Sequence, residues 1–584
     1  MKLQLLGIAL AVTALTPSPG AAQSAADYLA RIAAVDDSGP RLNAVLAINP
    51  DAAKDEAAAT AIKGPLSGKV VLIKDNIEMA GPLPTTAGSL ALKDSVTGRD
   101  APLVARLRKA GVVILGKTNL SEWANIRSSS SSSGWSAIGG QTKNPHAIDR
   151  TPCGSSSGSG SAIAAGLAWA AIGTETDGSI TCPASVNGIV GFKPTVGMVS
   201  RTHVVPISHS QDTAGPMTRS VAAAALLMNA LAGSDPADAA TMEADKRKTD
   251  FTSGLASASL KGVRIGVLRK QAGNHPALLA LFGKALADMK AAGAELVEIE
   301  YEPAPEMGRD EFTVLLYELR EDMGAYLRSL PGRQGPKSLA DLIAFNKAHP
   351  EELRWFGQDV FEQAEATTDK AAYEAARANS LRLAGAEGID RLLRENKVTF
   401  LVAPTEGPAW PIDLVLGDHF VGVGAGNLAA IAGYPHLSVP MGAVEGLPIG
   451  LSIMGAKWDD KRVLEAGAAY ERARTTALPV PSFKRWGSDA PEHGLAAARP
   501  AEACSLGLCL GAEKPLGARA VIIVHAGQVV DVFAVTLADV ALDGAAEGVA
   551  IDLTPARPRG SGCPLRFRAD AGRDTGFGMG LPPV

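Results

Sequence analysis

The sequence predicts an α/β fold, a sheet covered by helices on both faces, and three places where a helical pattern runs into a strand pattern predict it. Ahead of the first, GKVVLIKDNI, from Gly68 to Ile77, is rich in β-branched residues and reads as a buried strand with Lys74 and Asp75 at its end. PLVARLRKAG then has helical spacing with Gly111 as its stop, and VVIL resumes as strand. LFGKALADMKAAGAELVEIE, from Leu281, repeats that order. A long polar helix from about Asp369 to Asn396 feeds the strand VTFLVAP. Between these, Glu302 to about Lys370 is charged and helical and reads as an insertion over the core, of the kind that shapes a substrate entrance.

At 584 residues the chain exceeds an average domain of roughly 100 to 200 residues, so it can bury a large core. Hydrophobic residues make up 46%, and 56 basic against 61 acidic side chains leave a net charge of -5. No basic stripe marks a nucleic-acid or anionic-membrane partner. The N-terminus places Lys2 before an apolar run, Leu3 to Leu15, followed by Pro17, Pro19 and small residues, which is the pattern of a secretory signal peptide over residues 1–22. A periplasmic or secreted protein without stable membrane association is therefore expected, since that run is shorter than the roughly 20 residues of a membrane span. After Trp486 the chain turns rich in Ala, Gly and Pro, so residues 487–584 read as a poorly ordered extension, with AVIIVHAGQVVDVFAVTLADVAL as a candidate hairpin.

Two short motifs suggest chemistry that their surroundings deny. GVVILGKT, from Gly111 to Thr118, has the spacing of a phosphate-binding loop, but a helix precedes it and apolar residues fill the loop positions, so it reads as a strand. GSSSG, from Gly154 to Gly158, matches a nucleophile elbow centred on Ser156, and an apolar helix from Ser161 to Trp169 follows; yet DRTPC makes a poor preceding strand. That elbow also needs a histidine, and His203, His209 and His436 all read as loop or surface residues. Five cysteines, Cys153, Cys182, Cys504, Cys509 and Cys563, show no metal-ligand spacing, and the pairing of Cys153 with Cys182 stays open.

What remains is two glycine-flanked serines, Ser155 and Ser179, lying 24 positions apart, and a lysine, Lys74, upstream. Serine attacks at neutral pH only when a base takes its proton, and this chain offers lysine for that post. A run of six serines, Ser128 to Ser133, reads by itself only as a polar loop. The stretch from Ser161 to Gly173 is too apolar for a linker.

KDNI at Lys74, TTAGS at Thr85, GKTNLSEWA at Gly116, the glycine-serine stretch from Gly154, TETDGSITCPASVNGIVGFKPT at Thr174, DTAGP at Asp212 and AGYPHLSVPMG at Ala432 together resemble the amidase signature family. The resemblance runs from about Ala25 to Trp486, and GSSSGSG and TETDGSITCPAS are most similar to bacterial peptide amidases. It implies one large catalytic domain over residues 25–486 with a mixed central sheet, and hydrolysis of a C–N bond, as in the C-terminal amides of peptides. It implies further that Ser179 is the nucleophile, Ser155 a relay after a cis peptide bond, and Lys74 the base, with no cofactor and no metal. Backbone N–H groups of Thr176, Asp177, Gly178 and Ser179 would form the oxyanion hole.

The residues agree with that division of roles. A lysine accepts a proton only where desolvation lowers its pKa, and Asp75 leaves it free only by pointing to the other face of the strand. The common family form has Gly-Gly before the nucleophile and arginine two residues after it; here Asp177 and Thr181 stand there. The lost arginine argues against a carboxylate-bearing substrate, and Asp177 either attracts an amide or ammonium group or merely shapes a turn. An amidotransferase-type subunit of the same family, a histidine-dependent serine esterase and a non-catalytic binding protein are the competing readings.

Overall fold

The structure is a computed structural model that describes residues 23–332, 335–488, 520–526 and 529–535. Eleven strands build one mixed sheet: β1 (Val45–Ile48), β2 (Val70–Lys74), β3 (Val113–Thr118), β4 (Ala170–Glu175), β5 (Val190–Lys193), β6 (Thr213–Thr218), β7 (Arg264–Val267), β8 (Glu295–Glu298), β9 (Phe400–Pro404), β10 (His436–Val444) and β11 (Leu447–Met454). Their order across the sheet is β1-β3-β2-β4-β6-β5-β10-β11-β9-β7-β8. β2 runs parallel to both β3 and β4, whereas the middle of the sheet is antiparallel.

Alternation along β2 shows why both faces need cover. Val71 and Ile73 enter one core with Leu103, Val104 and Leu107 of α1 (Pro102–Lys109), and Val70 and Leu72 enter another with Ala162 and Ile163 of α2 (Ser157–Ala165). Each VVLI residue is fully buried as a result. Helix α2 is made of serine, glycine and alanine because it lies against backbone: a Cβ on Gly158 would run into Ala44 O and the main chain of Asn119. It ends at Ala165, where Gly166 turns left-handed at φ 73°, so the helix expected to run to Trp169 stops short and the apolar residues beyond become β4.

After β4 come the short α3 (Thr181–Val186), α4 (Pro276–Ala291) and four helices of the charged region: α5 (Pro305–Ser329), α6 (Leu339–Ala348), α7 (Asp359–Ala366) and α8 (Lys370–Leu381). Leu316, Leu319, Met323 and Leu327 of α5 pack with Ala87, Ala91, Leu92 and Trp123, just beyond the C-terminal ends of β2 and β3. The helical region thus stands over the strand end that carries Lys74. The polar helix before β9 continues from α8 through a kink at Gly388 to Asn396.

GVVILGKT is strand, as expected, with Val113 to Thr118 wholly buried. The serine run is a seat and not only a loop. Ser128 and Ser129 hydroxyls donate to Asp359 of α7 at 2.6 and 2.7 Å, and Ser133 N and Oγ donate to Asp418 at 3.0 and 2.6 Å. No helix among the described residues is long and apolar enough to cross a membrane. Residues 491–584 form a second unit, described only as an antiparallel pair, Ala520–Ala526 with Val529–Val535. The expected signal peptide and most of the expected loose extension lie outside the described residues.

Candidate active site

Lys74 ends β2 fully buried, with its Nζ 2.7 Å from Ser155 Oγ and 2.8 Å from Thr174 Oγ1. Thr174 O lies at 3.4 Å. Those neighbours suit a neutral amine, which donates two N–H bonds to Thr174 and accepts one O–H bond from Ser155. Burial strips water from the ammonium form and pushes the Lys74 pKa down to about 7, against the pull of Asp212 and Glu175. Asn76 Nδ2 donates to Thr174 Oγ1 at 2.9 Å and holds that hydroxyl in place.

Two other lysines are equally buried, Lys117 and Lys193, and neither hydrogen-bonds to a serine among the described residues. Lys117 forms an ion pair with Asp75 at 3.3 Å and donates to Ile77 O and Thr85 Oγ1. A register shift at Leu115 of β3, skipped between the partners of Val71 and Leu72, pairs Lys117 with Ile73, on the side opposite Lys74. Asp75 therefore spends its charge on Lys117 and on Thr86, whose amide donates at 3.1 Å. The opposite-face expectation for Asp75 holds.

The peptide bond between Gly154 and Ser155 is cis. Ser156 N donates to Ser179 O at 3.1 Å, which lays the Ser155 segment against the turn of Ser179. Ser179 is 8% exposed, and its hydroxyl has no hydrogen-bond partner among the described residues. The fold thus brings Lys74 and Ser155 into direct contact and sets Ser179 beside them through the backbone.

Glu175, at the end of β4, accepts from Ile180 N at 2.7 Å and Thr181 N at 2.9 Å, capping α3 and closing the intervening turn. The amides of Thr176, Asp177, Gly178 and Ser179 donate to nothing among the described residues. Gly178 has φ 77°, which lets the turn present them together. Thr176 Oγ1 donates to Asp212 at 2.6 Å, and Asp212 also accepts from Ile207 N and Ser208 N. Thr181 is buried against Glu175, so the position where the family has arginine offers nothing to a ligand.

Ser156 is not a nucleophile here: its Oγ donates to Thr174 O at 3.0 Å and is fully buried. His203 lies in a turn and His209 on the surface, as read, but His436 is a core residue of β10 bonded to Ser452 Oγ at 2.6 Å. Its reading as loop or surface was wrong because PHLSVP does not reveal that both sheet faces are covered there. Burial holds the His436 pKa down to about 3, so it stays neutral.

Cys153 and Cys182 are joined by a disulfide with Cα atoms 6.0 Å apart, tying the residue before Gly154 to α3. The bond closes a loop with a sequence separation of 29 residues. Cys153→Ala with Cys182→Ala is expected to lower unfolding free energy by about 3 to 4 kcal/mol, read as a shift of the urea midpoint. Equal midpoints would show that the bridge adds no constraint.

A buried amine bonded to a serine, beside a turn of unpaired amides, is an arrangement that suits acyl transfer. Compared with protein families, residues 24–464 match Amidase. The chain belongs to that family and is an amide-hydrolysing enzyme. It is 38% identical to a probable amidase of Arabidopsis thaliana over 77% of this chain and 86% of the relative. It is 34% identical to a glutamyl-tRNA(Gln) amidotransferase subunit of Thermus thermophilus, over 77% of this chain and 93% of the relative. Among solved structures it is similar to the native peptide amidase of Stenotrophomonas maltophilia, with 49% identity, a TM-score of 0.74 and coverage of 79% of this chain and 94% of the other.

Proposed function

We propose that the chain hydrolyses unsubstituted amides, C-terminal amides of peptides foremost, through Ser179, Ser155 and Lys74. The Ser155 hydroxyl passes its proton to neutral Lys74 while taking that of Ser179, whose Oγ bonds to the substrate carbonyl carbon. Negative charge on the carbonyl oxygen is met by the amides of residues 176–179. As the C–N bond breaks, the proton returns through Ser155 to the nitrogen, and ammonia leaves. Water then attacks the ester on Ser179 by the same relay, and the acid departs.

The observation that carries this reading is the 2.7 Å contact between Lys74 Nζ and Ser155 Oγ at the cis bond. The test is ammonia release from an amidated dipeptide by the purified chain, lost on Ser179→Ala. The peptide amidase of Stenotrophomonas maltophilia supports the substrate class. The Thermus relative favours a second reading, an amidotransferase-type subunit, which ammonia release from peptide amides without partner proteins would set aside. Export fits the disulfide, since such bonds persist in oxidising compartments; recovery of the enzyme in the cytoplasmic fraction would refute it.

A pH dependence follows from the amine. Below its pKa Lys74 is an ammonium and accepts nothing, so kcat/KM should rise about tenfold per pH unit and level off above about 7. A rise that continued past pH 9 would show an ordinary lysine or another base.

A further inference from the structure

The mouth of this site carries charge and apolar surface that the hydrolytic steps do not use. Asp177, two residues before Ser179, is reached by solvent, although protein surrounds it closely enough to disfavour its charge. Its carboxyl group meets that of Glu311 on α5, which is 7% exposed. Gln211 Nε2 donates to Glu311 Oε1 at 2.8 Å and to Thr176 O at 3.4 Å, fixing Glu311 beside the turn. Beneath them Glu175 keeps one oxygen buried without a partner, and its charge reaches Asp177. Burial raises the pKa of Glu406, just after β9, and the charges of Asp177 and Asp418 raise it further.

The segment from Glu406 to Gly424 that follows is held down at its base. Trp410 Nε1 donates to Asp418 at 3.2 Å, and Asp418 is tied to Ser133. Trp410 stacks edge-on with Phe420 at 4.6 Å between ring centres and packs on Cys153 and Cys182. Val421 lies over Gly407, so the apolar tip is continuous with Glu406. At that tip Val415, Leu416, Phe420 and Val421 are 57 to 73% exposed, four large apolar side chains within seven residues. A patch of that kind, anchored through Trp410 on the disulfide that precedes Gly154, suits an apolar ligand.

We infer that Asp177, Glu311 and Glu406, with the apolar tip 415–421, form a specificity rim that selects amides carrying an apolar side chain and a positive charge and turns away anionic amides. The inference rests on the hydrolytic reading above. Carboxyl groups from separate elements converge on the turn before the nucleophile, so an anionic substrate meets like charge and a cation meets its complement. Burial, with the charge of Glu175 added at Asp177 and those of Asp177 and Asp418 added at Glu406, pushes both carboxyl groups up to about 7, against the opposing pull of the buried Lys193 on Asp177.

The test compares N-acetylated Lys-Leu, Ala-Leu and Glu-Leu amides by ammonia release near pH 8.5, where these carboxyl groups are ionised. The lysine peptide should exceed the glutamate peptide about tenfold in kcat/KM, chiefly through KM. Glu406→Gln should narrow that ratio several-fold. Phe420→Ala should raise KM for the leucine amides relative to a glycine amide. Equal kcat/KM for the lysine and glutamate peptides, or a ratio untouched by Glu406→Gln, would overturn the rim alone. Absence of ammonia from all three would instead overturn the hydrolytic reading and the rim with it.

Discussion

Ser179→Ala and Lys74→Ala should each lower kcat for amide hydrolysis by roughly ten-thousand-fold or more, with unchanged circular dichroism. The first removes the attacking oxygen. The second removes the amine that takes the proton of the Ser155 hydroxyl. Lys74→Arg should not rescue, because a guanidinium stays charged and cannot serve as base. The double variant should be little worse than either single one, as groups acting in one relay are not additive. Near-normal turnover by Lys74→Ala would move the base elsewhere, and Lys193, pushed down to about 8 by its burial, would be the next residue to replace.

The second large effect concerns stability. Lys117→Met should cost about 3 to 5 kcal/mol, because it strands the Asp75 carboxylate inside a closed core. Burial already raises the Asp75 pKa, with Lys117 the main opposing influence, so loss of that ammonium leaves the carboxylate far more costly. Pairing Lys117→Met with Asp75→Asn should recover part of the loss, since no charge is then orphaned, while the bonds of Lys117 to Ile77 and Thr85 stay missing. Urea midpoints read both. A single variant as stable as the parent would mean that the pair is not closed off from water.

Much of this site is legible in the residues alone. Period-two alternation along VVLIKD separates Lys74 from Asp75, and the glycines around Ser155 and Ser179 mark tight backbone. Thr174 and Asn76 stand inside the recognised stretches, yet nothing local says that a threonine will face a lysine 100 residues away. Glu311 gives no signal at all. It lies in a charged helix where any face could look outward, and only the packing of α5 over Gln211 turns it in. The serine run reads as filler because serine repeats carry no pattern, whereas its meaning comes from Asp359 and Asp418, both supplied from afar. His436 misleads for the opposite reason, a polar residue hidden by strands on either side.

The distance along the chain between the parts of the relay has its own consequence. Lys74 meets Ser155 across 81 residues and Thr174 across 100, on parallel strands β2 and β4 that only a long crossover can bring together. Contacts of such high sequence separation are costly in loop entropy and slow to form. A nascent or refolding molecule can thus gain its helices early and remain inert, and turnover reports completion of the topology rather than the presence of local structure.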